Sequence, residues 1–166
     1  MPQSFAQLVN KNTRILILGT MPGEASLKAQ EYYAHPRNIF WRIMADVFNA
    51  GAGFADYQAK TQCLLSHNVG LWDNLQYCER QGSLDSDIRR EIPNDMESLL
   101  AANPQIDMIL FNGQKSYDFF KKYHQPLLKS LNCRIMPSTS PANARLSYAQ
   151  KLAAWCQALQ PEAEDK

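Results

Sequence analysis

Short apolar runs alternate along this chain with segments whose apolar residues recur at helical spacing. Residues 15–18 are continuously apolar, which is typical of a strand covered on both faces. Three further short runs predict strands over residues 69–72, 108–111 and 133–136. The helical spacing predicts helices over residues 39–48, 57–66, 95–102, 116–123 and 147–159. This order predicts an α/β protein, a three-layer α/β/α sandwich with a central four-stranded, mainly parallel sheet.

The loops that follow the four predicted strands emerge at one edge of such a sheet. They begin after Leu18, Trp72, Phe111 and Met136. In open α/β sheets, ligands bind at the carboxyl ends of the strands. We therefore expect the residues that bind a ligand or catalyse a reaction to lie in these loops.

The first loop, residues 19–38, is rich in groups that can contact a ligand. Pro22 and Gly23 predict a tight turn, in which the absence of a Cβ lets backbone N–H groups approach a ligand closely. Aromatic and hydrogen-bonding side chains follow just before the next helix: Tyr32, Tyr33, His35, Arg37 and Asn38. A plain turn, core tyrosines and a helix cap at Asn38 would explain the same residues. Lys28 is either an amine nucleophile or a solvated helix residue.

The last loop, residues 137–144, gathers hydroxyl and amide groups around two prolines, directly before a helix. Ser138, Thr139, Ser140 and Asn143 supply these groups, and Arg145 adds positive charge. Backbone N–H groups and hydroxyls at a helix start bind anions, so the loop can hold a phosphate. A solvated loop with a good helix cap is the alternative.

Asp73 stands at the end of the second predicted strand, on the same edge. A carboxylate there can accept a hydrogen bond from a ring N–H, although an Asx-turn or a cap explains it as well. Residues 76–88 are polar and turn-rich, and we expect a functional loop without regular structure.

Length and composition limit the classes of protein to which the chain can belong. With 166 residues and 45% hydrophobic content, residues 1–166 fit one domain, and the acidic tail over 161–166 is expected to fray. The net charge of +1 argues against a strongly basic nucleic-acid coat but leaves room for a local phosphate-binding face. No signal peptide or membrane span is predicted, which favours a soluble, intracellular protein. The four scattered cysteines predict reduced thiols, with no metal site.

Several common catalytic motifs are absent from the sequence. Neither site loop has the P-loop spacing, and no G-x-G-x-x-G follows the first strand, which disfavours nucleotide hydrolysis and dinucleotide redox chemistry. No G-x-S-x-G motif supplies a serine nucleophile. The three histidines lie on separate segments. We therefore expect neither a metal nor a cofactor.

Three motifs together resemble the uracil-DNA glycosylase superfamily, and most closely its hypoxanthine-DNA glycosylase branch. They are GTMPGEASL over residues 19–27, YYAHPRNIFW over 32–41 and PSTSPANA over 137–144. The likeness runs from about residue 13 to residue 159 and includes VGLWD over 69–73. It implies a monofunctional glycosylase that cleaves the N-glycosidic bond of a damaged base flipped out of DNA.

The resemblance also implies roles for individual residues. Met21 occupies a position where many relatives have an Asp or Asn that orients or activates the water. A thioether can do neither. This departure fits the hypoxanthine branch, in which the Asn of the N-x-F-W segment is essential; here that residue is Asn38. Similarity to mismatch-specific relatives makes Tyr33 the residue that stacks on the base. Asp73 falls where relatives read the base edge, and backbone N–H groups near Met21 and Gly23 would hold the departing base.

The loop from Ser138 through Thr139 and Ser140 to Asn143 would then grip phosphates beside the flipped nucleotide. Ala142, Asn143 or Arg145 would fill the space left in the stack. The implied substrate is a deaminated base, chiefly hypoxanthine, in damaged DNA, the only predicted partner of a monomeric cytoplasmic protein associated with the nucleoid. The alternatives are a uracil- or mismatch-specific glycosylase, an inactive DNA-binding member of the fold, and an unrelated small-molecule enzyme.

Overall fold

A computed structural model describes residues 3–143 and 145–160 of the chain. The predicted fraying of residues 161–166 therefore concerns a segment outside the described residues, as does any role of Ala144. The strands are β1 (Ile15–Gly19), β2 (Val69–Asp73), β3 (Leu75–Glu79), β4 (Arg89–Pro93), β5 (Met108–Asn112) and β6 (Asn132–Met136). The helices are α1 (Glu24–Ala29), α2 (Phe40–Phe48), α3 (Tyr57–Ser66), α4 (Met96–Ala102), α5 (Gln114–His124) and α6 (Tyr148–Leu159).

Four parallel strands form the central sheet in the order β2-β1-β5-β6. The register places Gly19 opposite Asp73 and Asn112 opposite Met136, so these strands end level with one another. The predicted fold class is confirmed, and so is the shared edge for the four loops. Each of these strands lies within one residue of its predicted bounds.

The core has two parts, one on each face of the sheet. Ile17 of β1 packs in a cluster with residues of α2, α3 and α6, including the fully buried Phe40 and Trp155. Leu16 and Leu18 point to the opposite face and pack with residues of α4 and α5. This alternation follows from the period of two in a strand, and it produces the three layers.

Residues 75–93 differ from their prediction. The predicted functional loop, residues 76–88, contains most of the strand β3. This strand pairs antiparallel with β4, which follows the predicted loop directly, and residues 80–88 join the two strands. Leu75, Cys78 and Ile88 are buried in a small cluster with Met21 and Phe119. This packing against distant residues stabilises strands whose polar composition gives no clear strand pattern. We call residues 80–88 the hairpin loop.

Two further local features are the short helix after the first turn and the cap of the last helix. The six-residue helix α1, which was not predicted as a helix, follows the Pro22-Gly23 turn. Ser147 caps α6 through a reciprocal capping box with Gln150, which defines the end of the loop before that helix. Within the described ranges, no helix combines the length and apolar character that crossing a membrane would require.

Candidate functional site

Asn38 lies beside the loop that follows β6, and one backbone hydrogen bond connects the two. The Ile39 N–H donates to the carbonyl of Thr139 at 3.1 Å. The half-buried Asn38 accepts a hydrogen bond at Oδ1 from the Phe40 N–H, at 2.9 Å. Asn38 therefore has the Asx-type contact that a purely structural role predicts, and it stands at the shared edge that a catalytic role requires.

This contact also orients the Asn38 side chain. With the N–H of Phe40 on Oδ1, the carbonyl oxygen has one further lone pair, and Nδ2 donates to no other described residue. The amide can therefore accept one hydrogen bond and donate two from a fixed orientation. That suits the alignment of a water molecule, whereas an amide is too weakly basic to remove its proton.

We call residues 137–143, the loop after β6, the serine-rich loop. Side chains of β5 and α6 hold it in place through hydrogen bonds. Asn112 makes two hydrogen bonds of 3.0 Å with Thr139, one from Nδ2 to Oγ1 and one from the Thr139 N–H to Oδ1. From α6, Trp155 donates to the carbonyl of Pro137 at 2.9 Å, and Lys151 donates to that of Asn143 at 2.6 Å. Sequence reasoning did not identify Asn112 or Lys151 as site residues, because nothing local distinguishes them.

The upper surface of the serine-rich loop is accessible. Ser138 and Ser140 are half-buried, and their hydroxyl oxygens accept hydrogen bonds from backbone N–H groups at 3.1 and 3.2 Å. Each hydroxyl can still donate its proton outward. Arg145 is exposed, whereas Thr139 is only 1% exposed and its side chain faces Asn112. The predicted phosphate-binding residues thus divide into an accessible set and one buried anchor.

Tyr33 combines a strained backbone with a buried hydroxyl. Its φ of 57° lies in the left-handed region, which is costly for a residue with a bulky side chain. One face of its ring stacks on Phe40, with centroids 4.1 Å apart and planes at 26°, and the side chain remains half-buried. Burial, followed by the charge of Asp73, raises the pKa of the Tyr33 hydroxyl, so the phenol stays neutral.

The side chains of Asp73 and Tyr33 both lie close to Gly19. A Cβ placed on Gly19 would lie 2.5 Å from Asp73 Oδ1 and 3.0 Å from the Tyr33 hydroxyl oxygen, so only a glycine permits this approach. Asp73 is 3% exposed, and its Oδ2 has no hydrogen-bond partner among the described residues. The buried Tyr33 hydroxyl interacts with the Asn112 side chain but forms no hydrogen bond of normal geometry with a described residue. Buried polar groups rarely stay unpaired, which marks this spot as a place for a ligand.

The Asp73 carboxyl has an unusual proton affinity. Burial, together with the nearby charge of Asp85, raises its pKa from 3.8 to about 7, and Arg80 acts in the opposite direction. Near neutral pH the carboxyl can therefore exist in both its acidic and its ionised form. Each form presents a different hydrogen-bonding face to a ligand.

Met21 directs its side chain away from this edge. It is 6% exposed and packs with Leu75, Cys78, Ile88 and Phe119, so its thioether belongs to the core. The backbone N–H groups of Met21 and Gly23 donate to no other residue in the described part of the chain. Lys28 is exposed in the last turn of α1, which fits the solvated helix residue rather than the amine nucleophile.

The hairpin loop covers the turn at Pro22 and Gly23. Arg80 donates to the carbonyl of Pro22, and the Glu24 N–H donates to Ser83 Oγ at 2.9 Å. The Arg80 side chain is only 3% exposed, and its Nη1 lies 3.5 Å from Asp85 Oδ1. Arg80 and Asp85 were not identified from the sequence, because an Arg and an Asp near a glycine turn are ordinary in a solvated loop.

The site is defined by these side chains and not by a surface cavity. Two surface cavities of about 460 and 440 Å³ lie elsewhere, one beside Cys133 and Ile135 and the other beside Gln7 and Tyr57. Neither is lined by Asn38, Tyr33 or Asp73.

Comparisons with known proteins agree on one family. The family model described as the uracil DNA glycosylase superfamily matches residues 6–160. Two curated proteins named hypoxanthine DNA glycosylase are similar to the chain. The protein from Methanosarcina barkeri is 33% identical over 158 residues, covering 94% of this chain and 96% of its own. The protein from Methanosarcina acetivorans is 35% identical over 147 residues, covering 87% and 90%.

A solved structure has the same fold. It is the solution NMR structure of a protein from Methanosarcina acetivorans, named provisionally as a uracil DNA glycosylase. Its TM-score is 0.80 at 33% identity, and the match covers 95% of this chain and 96% of the other.

Proposed function

Because this chain belongs to the uracil-DNA glycosylase superfamily, we propose that it is a monofunctional DNA glycosylase that excises deaminated bases, chiefly hypoxanthine. The observation that carries the catalytic part is the position of Asn38. Its amide is oriented by the Phe40 N–H and lies next to the serine-rich loop through the Ile39–Thr139 hydrogen bond. A water-directing group thus stands beside a phosphate-binding surface.

The chemistry of glycosidic cleavage suits an amide. As the bond breaks, positive charge develops on the sugar and negative charge on the leaving base, so stabilising both lowers the barrier. Asn38 accepts a hydrogen bond from water and directs it onto the sugar. A strong general base is not required when bond breaking precedes attack, which explains how the enzyme works with Met21 in place of an acidic or amide residue.

The flipped base occupies a pocket that we call the base pocket: Gly19, Tyr33, Asp73 and the turn at residues 20–23. Tyr33 stacks on the base, and ionised Asp73 accepts the N1–H proton of hypoxanthine in a hydrogen bond. The backbone N–H groups of Met21 and Gly23 stabilise negative charge on the departing base. A base would satisfy the two buried oxygens that form no hydrogen bond of normal geometry with a described residue, Asp73 Oδ2 and the Tyr33 hydroxyl.

DNA is held through a few phosphates. Ser138 and Ser140 donate their hydroxyl protons to phosphate oxygens, and Asn143 and Arg145 assist or fill the space left by the flipped nucleotide. Thr139 supports this surface from the buried side. Flipping costs a few kcal/mol and is easiest for a poorly paired base, which itself favours deaminated bases. Few phosphate contacts also agree with a net charge of only +1. We propose that the protein acts as a cytoplasmic monomer at the nucleoid.

Uracil is the second candidate substrate, because its N3–H is also a ring donor that an ionised Asp73 can bind. The provisional name of the solved relative favours the same base. Hypoxanthine remains the first choice because both curated relatives carry that activity in their names.

Duplexes that carry a single deoxyinosine or deoxyuridine test this function directly. The protein is incubated with each duplex, and abasic sites are then cleaved with alkali. Strand breaks at deoxyinosine, at a higher rate than at deoxyuridine, are expected. Binding without breaks would instead support an inactive DNA-binding protein. Borohydride is expected to trap no covalent adduct, and an adduct would show an amine nucleophile.

A further inference from the structure

Arg42 carries an exposed guanidinium group in the first turn of α2. Its Cζ lies 3.7 Å from the centroid of the Tyr148 ring, so the cation rests on an aromatic face. Arg42 forms no hydrogen bond or ion pair with any residue in the described part of the chain. The guanidinium is therefore held in one place while its five N–H donors stay available to a ligand.

Asp46 is the acid that should neutralise this guanidinium. It follows Arg42 by four positions on α2, the spacing at which opposite charges on a helix pair. The Asp46 carboxylate instead accepts a hydrogen bond at Oδ2 from the Tyr148 hydroxyl. Tyr148 thus makes two contacts: its ring supports the guanidinium, and its hydroxyl holds the acid that would otherwise pair with it.

The pair of Arg42 and Tyr148 lies at the edge of the sheet that carries the site. Helix α2 begins two residues after Asn38, and Tyr148 is the first residue of α6, which follows the serine-rich loop. The backbone hydrogen bond from Ile39 to Thr139 joins the segments that lead into these two helices. The guanidinium therefore stands at the edge where Asn38 and the serine-rich loop meet.

A phosphate group suits a guanidinium presented in this way. The planar fork of an arginine can donate two parallel hydrogen bonds to phosphate oxygens. Because the Tyr148 ring already restricts the side chain, less conformational entropy is lost when the ligand binds. A chain with a net charge of only +1 also has to obtain its affinity for DNA from a few well-placed cations.

We propose that Arg42 binds a backbone phosphate of the DNA, and that Tyr148 and Asp46 are positioning residues which keep its guanidinium available, an inference that rests on the proposed function. The Tyr148 ring fixes the place of the cation, and the Tyr148 hydroxyl retains Asp46. Arg42 thereby adds a phosphate contact on the α2 side of the serine-rich loop.

Binding of an undamaged duplex at several salt concentrations, followed by fluorescence anisotropy, tests the contact. Arg42→Gln should weaken binding about fivefold and reduce the slope of log affinity against log salt by about 1. Arg42→Lys keeps the charge and should keep the slope. Arg14→Gln is the matched control, because this exposed arginine pairs with Asp107 just before β1, at the opposite edge. A wild-type slope in Arg42→Gln would overturn the proposal.

Tyr148→Phe tests the positioning role, since it keeps the ring and removes only the hydroxyl. The released Asp46 should then pair with Arg42 and weaken binding about threefold, although no group that contacts phosphate has been removed. In the background of Asp46→Asn, the same substitution should change nothing, because no acid is released. An equal loss in both backgrounds would show that the Tyr148 hydroxyl is only structural, and the proposal would fail.

The undamaged duplex separates this inference from the proposed function, because binding is measured without excision. The expected changes in binding, in a protein that leaves deoxyinosine intact, would contradict the glycosylase activity and support the phosphate contact. Excision of deoxyinosine with an unchanged salt slope in Arg42→Gln would overturn this inference alone. Urea unfolding checks the fold of each variant. Should Arg42→Gln fail to fold, the comparison of Tyr148→Phe in the two Asp46 backgrounds decides.

Discussion

The serine-rich loop and the base pocket lie at the same edge of the sheet, but they differ in how their polar groups are satisfied. Groups of the serine-rich loop are paired with Asn112 of β5 and with Lys151 and Trp155 of α6, and the serine hydroxyls remain accessible. In the base pocket, Asp73 Oδ2 and the Tyr33 hydroxyl are buried and form no hydrogen bond of normal geometry with a described residue.

This difference indicates two modes of recognition. A rigid, hydrogen-bonded surface suits the phosphate backbone, which is the same for every sequence. Unpaired buried groups penalise an empty or wrongly filled pocket, which suits selection of one base. Loss of a group on the pocket side should therefore change substrate choice or chemistry, whereas loss on the loop side should weaken DNA binding.

The largest effect is expected for Asn38→Ala. Removing the water-directing amide should lower the single-turnover rate on deoxyinosine by about 10³-fold, the upper range for loss of one oriented polar group in an active site. DNA affinity, measured by fluorescence anisotropy, should change little. Asn132→Ala, an exposed Asn at the opposite edge of the sheet, is the matched control. A rate equal to that of the control would remove Asn38 from the mechanism.

Gly19→Ala tests the close approach within the base pocket. The new Cβ would collide with Asp73 Oδ1 and displace it from Tyr33, so we expect about a 100-fold loss of kcat/KM for deoxyinosine. Gly53→Ala is the control, because a Cβ there meets nothing within 4 Å. Similar activity of the two variants would contradict the assigned position of the base.

Asp73→Asn separates function from stability. An amide retains an acceptor but loses the charge, so excision should fall about 30-fold at pH 8 and the acid limb of the pH–rate profile should disappear. Because the folded-state pKa of about 7 exceeds the ordinary 3.8, ionisation of Asp73 costs folding stability as pH rises through this interval. The variant should therefore gain stability over wild type in urea unfolding at pH 8, and much less at pH 4. An equal difference at both pH values would show that Asp73 ionises freely.

Thr139→Val weakens the support of the serine-rich loop. It leaves the Asn112 Nδ2 without its buried acceptor, which should cost about 1–3 kcal/mol of unfolding free energy and raise KM for DNA about tenfold. The rate at saturating DNA should change little. Thr61→Val, at a threonine whose hydroxyl bonds only its own helix, is the comparison. A fall confined to kcat would place Thr139 in the chemistry instead.

The smallest effect is expected for Arg145→Ala. Loss of one phosphate contact should weaken binding about threefold for every duplex, and reduce the slope of log affinity against log salt by about 1. Lys11→Ala, an exposed lysine just before β1 at the far edge, should leave the slope unchanged. An unchanged slope in Arg145→Ala would place this side chain away from DNA.

Local patterns in the sequence determined much of the molecule. Apolar runs predicted β1, β2 and β5, because burial on both faces leaves a simple signature. The edge strand β6 was also predicted, although Arg134 interrupts its apolar residues and most of the strand is exposed or half-buried. Parallel strands with helical crossovers then placed the loops after β1, β2, β5 and β6 at one edge. The motifs around Asn38 and Ser138 carried the resemblance to the family that the comparisons confirm.

Tertiary structure alone decided the rest. Strand β3 and the loop that joins it to β4 are held in place because Cys78 and Ile88 pack with Met21 and Phe119, residues far away in the sequence. Thr139 became a buried anchor because Asn112 lies beneath it. The proton affinity of Asp73 depends on burial and on charges that another segment supplies, and no local pattern records either. Sequence periodicity reports which face of an element is apolar, whereas the environment of a single polar group is created only when distant segments meet.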